Sequence, residues 1–181
     1  MLRKILFTLA LLVGVHLAAT AETGNAAEPA VLTVTGNVAN PNRGPVDEFD
    51  DQVFAHLQVK FDKGFTFTLS DLKALPQRTE KAKYPGWPRE VTATGPSLKD
   101  VLKAAGASGN KILVQATDGY APEFTGADVD ADKLIVAVEA DGKPLNMGSR
   151  GPLWLFGPMG SIAGQEADEG LAFAVIRIDV Q

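Results

Sequence analysis

The sequence predicts an α+β domain, a mixed β-sheet or partly closed barrel carrying two or so short helices. Three observations predict it. Strand-like runs outnumber helical ones. The 18 Gly and 11 Pro imply many turns and short elements and oppose a helical bundle. Ile112–Ala116, Leu134–Val138 and Leu153–Phe156 are near-continuous apolar runs, as in strands covered on both faces, whereas Phe173–Val180 alternates between core and solvent.

In chain order, residues 1–21 read as a secretory signal peptide. Arg3 and Lys4 form the charged start, Ile5–Val15 the apolar run, and Ala19-Thr20-Ala21 the small-x-small cleavage site. The apolar run is too short for a ~30 Å hydrocarbon core, which needs about 20 residues. The expected location is the periplasm or the exterior, with no membrane span after cleavage. Residues 22–30 are polar and small, a flexible lead-in, and the domain occupies 31–181.

Val31–Thr35 alternates and ends at Gly36, a strand. Residues 40–51 form a loop whose acidic stretch, Asp47 to Asp51, reads as a cation site or as solvated surface. Leu57–Phe61 and Phe65–Thr68 alternate across Asp62-Lys63-Gly64, a hairpin pattern. Ser70–Leu75 reads as a short helix capped by Ser70 and stopped by Pro76. Gln77–Arg89 reads as irregular and Val91–Thr94 as a strand. Ser97 caps the clearest helix, with Leu98, Val101, Leu102 and Ala105 on one face and Gly106 after its end.

Composition excludes several functions. The chain has no cysteine, so disulfides, thiol nucleophiles and thiolate-held metals are out. Its net charge of −5 opposes a nucleic-acid partner, because phosphate binding needs a basic surface. Asp128, Asp130, Asp132, Ile135 and Glu139 have the spacing of a calcium loop. Lys133 stands where the sharp turn requires Gly, however, and a strand follows in place of a helix. His56 lies in an expected strand with no nucleophile elbow anywhere. Asp118 and Glu123 are close in sequence, but Asp118-Gly119 also reads as a turn. Two aromatic loops remain as ligand-binding candidates, Tyr84-Pro85-Gly86-Trp87-Pro88 and Asp118-Gly119-Tyr120 through Phe124.

The order and spacing of several segments carry a resemblance. They are Phe67–Leu72 with Leu75-Pro76, Gly95–Leu102 with Ala105-Gly106, Ala116–Tyr120, Asp141–Leu145 and Arg150–Trp154. Together, over about 31–180, they resemble the oxidoreductase molybdopterin-binding domain of sulfite-oxidase-type enzymes, in particular its short exported members. The resemblance implies an α+β fold with a mixed sheet. In the catalytic enzymes a cysteine thiolate from the segment matching Gln77–Gly95 binds molybdenum, and no Cys is present here. A His and an Arg flank the Gly-x-Pro-Leu strand in those enzymes. Arg150 stands near the His position and Trp154 at the Arg position.

Two readings follow. One is a non-redox module that binds a small anionic or aromatic ligand or a periplasmic protein. The other is a molybdopterin-dependent oxidoreductase, or redox-complex subunit, with atypical ligation. The ligand-binding candidates are Trp87, Asp118, Tyr120 and Arg150, of which Trp87, Tyr120 and Arg150 are expected to converge. No residue is named catalytic or metal-binding.

Overall fold

The structure is a computed structural model that describes residues 27–162 and 167–181. The expected leader, and the lead-in up to residue 26, lie outside the described residues.

The central sheet has five strands in the order β2-β1-β11-β5-β6. β1 (Ala30–Gly36) runs parallel to β11 (Val175–Val180) and antiparallel to β2 (Gly64–Thr68). β5 (Lys111–Ala116) and β6 (Glu123–Thr125) complete it. The register aligns Leu32 and Val34 with Phe67, Phe65 and Ile178, so the apolar positions share one face. The opposite face carries a buried polar network. Arg177 Nε donates to Thr35 Oγ1 at 2.9 Å, and another guanidinium nitrogen reaches Asp179 Oδ1 at 2.6 Å. Burial pushes the Arg177 guanidinium below its usual range, while the Asp179 carboxylate opposes that shift.

A second sheet, in the order β3-β4-β8-β9, comprises Gln77–Ala82, Val91–Pro96, Glu139–Ala140 and Lys143–Pro144. β7 (Ile135–Ala137) pairs with β10 (Trp154–Phe156), and all six residues are buried. Gly95 lets β4 cross β7 closely: a Cβ there would stand 2.1 Å from the Val136 carbonyl oxygen.

The mixed α+β architecture is as expected, but none of the sheets closes into a barrel. The described residues contain four short helices in place of two: α1 (Gln52–His56), α2 (Leu69–Ala74), α3 (Leu98–Ala104) and α4 (Gly126–Asp130). The sequence hairpin is not formed, because β2 finds its partner in β1. The chain before it turns at α1, whose end is closed by Gln58 N–H to Ala55 O and Val59 N–H to Phe54 O, with Gln58 at φ 55°. His56 is therefore an exposed helix end and not a strand residue. Residues 77–82 form a strand because all six pair with β4, an edge position that tolerates their polar side chains. Helix α2 is capped by Thr68 in a capping box with Asp71, and Ser70 is already inside it.

Candidate functional site

The sequence 84–88 folds as a turn in which Trp87 N–H donates to Tyr84 O at 3.0 Å and Gly86 adopts φ 83°. Tyr84 points inward, and its hydroxyl donates to Gly157 O at 2.9 Å. Trp87 is half-buried; its indole Nε1 donates to Asp168 Oδ2 at 2.8 Å. The ring lies 5.1 Å from Tyr84 and 5.6 Å from Trp154, centre to centre. Trp154 in turn meets Phe156 edge-on at 4.7 Å. These four rings form one continuous cluster reaching from the β7–β10 core to the surface.

Arg150 closes the outer side of the cluster. It precedes the cis Gly151–Pro152 bond, and its carbonyl accepts from Ala174 N–H at 3.0 Å. Its guanidinium carbon lies 4.4 Å from the Trp154 ring centre, 5.2 Å from that of Trp87 and 5.9 Å from that of Phe173. No ion pair among the described residues includes it. A guanidinium held over aromatic faces keeps its charge, and its N–H groups can pair with a planar anion.

Asp118 and Tyr120 sit on the neighbouring turn. Asp118 Oδ1 accepts from Tyr120 N–H at 2.9 Å, with Gly119 at φ 89°, so this carboxylate shapes the turn. The Tyr120 hydroxyl accepts from Gly170 N–H at 3.1 Å, two residues beyond the Trp87 partner Asp168. Arg150 and Trp87 are thus in direct contact. Tyr120 is linked to Trp87 only through the 168–170 segment, and the Asp118 carboxylate is engaged by its own turn. Sequence reasoning missed Phe173, which is 49% exposed beside Arg150 and lies outside β11. Its place in an alternating run read as strand, which concealed it.

The other acidic candidates are dispersed. Glu123 pairs with Lys111 at 3.1 Å, away from Asp118. Asp128 belongs to the Thr125 capping box, Asp130 pairs with Lys99, Asp132 with Arg78 and Glu139 with Lys73. Among the described residues no group of three His, Asp or Glu side chains is arranged to hold a metal ion.

The residues present do not fit a molybdopterin cofactor. The chain has no cysteine and so no thiolate donor for molybdenum. The position where the resemblance calls for a cofactor-binding Arg holds Trp154, which is 1% exposed and packed among rings. A buried indole supplies no charge to a phosphate or pterin.

No family model matches the chain, and no curated protein matches it. A solved structure does: the sulfane dehydrogenase SoxCD from Paracoccus pantotrophus. Its TM-score is 0.56 at 18% identity, covering 82% of this chain. The match spans 37% of the SoxCD chain, little more than a third of that protein. At this identity the likeness is one of fold alone.

Proposed function

We propose that the chain is an exported, non-redox binding module on a molybdopterin-domain-like fold. Its binding face is centred on Arg150 and takes an anionic group, aromatic by preference, on a small ligand or on a periplasmic protein. The observation that carries this reading is Arg150 itself, stacked on Trp87 and Trp154 with no carboxylate partner among the described residues. Beside it stands Phe173, 49% exposed, with its ring centre 5.9 Å from the guanidinium carbon. Trp, Phe and Arg are among the residue types enriched at binding surfaces. The oxidoreductase alternative rests on the likeness to sulfane dehydrogenase, and the donor set opposes it.

Titration with benzoate, followed by the indole N–H resonances of Trp87 and Trp154, tests the binding face. Both signals are expected to shift saturably, and the shifts to vanish in Arg150→Ala. Undiminished shifts in that variant would overturn the assignment. Intact mass of exported protein starting at Glu22 tests the leader.

A further inference from the structure

A second surface shares no residue with the Arg150 face. Between α1, the loop before it and residues 58–62 lies a cleft of about 800 Å³. Its floor is apolar, with Ala55, Val59 and Phe61, and two carboxylates line it, Glu48 and Asp62. Both are exposed, and neither forms an ion pair among the described residues. Lys60 is on the wall as an opposing charge, outnumbered by these two acids and by Asp47 and Asp50 on the adjoining loop.

The lip of this cleft carries an unusual exposure. Phe49 is 85% exposed and Val53, four residues on, 51%. Phe49 lies on the turn just before α1 and Val53 in the first turn of that helix. Phe49 nonetheless sits on a fixed backbone. Its N–H and that of Asp50 both donate to Asp47 Oδ1, at 2.8 and 2.9 Å, and these bonds hold the Asp47 carboxyl below its usual range. Gln52 Nε2 donates back to the carbonyls of Glu48 and Phe49. Below, Arg43 ties the walls together: it pairs with Asp51 at 2.5 Å and lies over the rings of Phe61 and Phe54. The turn that ends α1 places Gln58 at φ 55° on the cleft wall, a conformation that favours Gly. An apolar knob and a cleft held in place before binding lose little entropy when a partner arrives.

We propose that this cleft and its lip dock a basic segment of a partner protein. An apolar side chain of the partner covers Phe49 and Val53, and a lysine or arginine enters the cleft toward Glu48 and Asp62. Charge selects this occupant over the others. A second copy of this chain brings the same net negative charge, −5 over the full sequence. An anionic membrane surface repels the same carboxylates. A small organic cation would answer the acids but leave Phe49 in water, whereas a protein segment covers both.

Fluorescence anisotropy of the mature protein with two labelled probes tests the proposal: a short peptide of alternating lysine and leucine, and its glutamate–leucine counterpart. The basic probe is expected to bind at least about tenfold more tightly than the acidic one, less so at high salt. Phe49→Ser, and separately Glu48→Gln with Asp62→Asn, should each weaken it by about tenfold, equivalent to 1.4 kcal/mol. Glu90→Gln with Glu123→Gln, a charge-matched control on other elements, should leave it unchanged. Equal weakening in the control would reduce the attraction to net charge and overturn the proposal. So would cleft variants that bind like the wild type while keeping its Tm. Because no Arg150-face residue is altered, failure here leaves the benzoate result standing, and the converse holds.

Discussion

The Arg150 guanidinium stacks 4.4 Å from the centre of the Trp154 indole, while the Trp154 Nε1–H is buried with no hydrogen-bond partner among the described residues. The ring satisfies the cation through its face and leaves its own donor unanswered. A buried, unpaired N–H costs about 1–3 kcal/mol. The ring is therefore held by packing, against Phe156 on one side and Trp87 on the other.

Trp154 substitutions should separate these terms. Trp154→Ala is expected to cost about 3–5 kcal/mol, because it empties the centre of the cluster. Trp154→Phe should cost less than half of that, because it removes the unpaired donor with only part of the area. Urea denaturation checks both. Equal losses would show that the orphan N–H carries no penalty.

Arg150 should matter to binding and little to folding. It is exposed, and a cation–π contact in water contributes about 0.5–1 kcal/mol. Arg150→Ala should lower Tm by no more than about 4 °C. Arg150→Lys should restore Tm without restoring benzoate binding, since an ammonium lacks the planar pair of donors. Full rescue of binding by Lys would point to charge alone as the determinant.

Protein purified from its native host should lack stoichiometric molybdenum. The chain has no thiolate to hold the metal, and Trp154 occupies a position where the resemblance calls for a cationic cofactor ligand. Elemental analysis decides this, and about one molybdenum per chain would restore the oxidoreductase reading.

Much of this was legible in the sequence, and the failures have physical causes. The helix after Ser97 was legible because its apolar spacing and its cap agree, and Ser97 Oγ does accept from Asp100 N–H at 3.0 Å. The strand at 77–82 was hidden because an edge strand needs no apolar alternation. The 57–61 alternation misled because Val59 and Phe61 are drawn inward by tertiary packing beside Phe54 and Arg43, without ladder bonds. The contact of Trp87 with Arg150 is one that the resemblance, read from the order of segments along the chain, leads one to expect. The role of Asp168, remote in sequence from Trp87, has no local signal.

The acidic 128–139 segment should respond to capping and not to calcium. Thr125 Oγ1 accepts from Asp128 N–H, while the Asp128 carboxylate accepts from Thr125 N–H at 2.8 Å. Thr125→Ala should therefore cost about 1 kcal/mol, equally in calcium and in chelator. Calorimetry at micromolar calcium should show no saturable heat. A calcium signal lost on Asp128→Ala would make the segment a cation site.

Asp141 should give stability an acid limb. It opens the Asp141-Gly142 turn between β8 and β9, with φ values of 50° and 72°. Its Oδ1 accepts from Thr92 N–H at 3.0 Å and its carboxylate pairs with Arg89. The Thr92 bond first, and Arg89 second, hold its carboxyl below the usual carboxylate range. The folded form thus releases the Asp141 proton more readily than the unfolded chain does. Between the two pKa values the unfolded state binds more protons, so stability rises with pH there. The contribution is complete above the unfolded value, about 3.9, and fades as pH falls through the folded one. NMR titration should give a carboxyl midpoint below about 3.9. Asp141→Asn keeps the turn, because Asn tolerates the left-handed conformation, and should flatten the pH dependence of urea unfolding in that window. A midpoint at or above the unfolded value, or an unchanged slope in Asp141→Asn, would remove Thr92 and Arg89 as the cause.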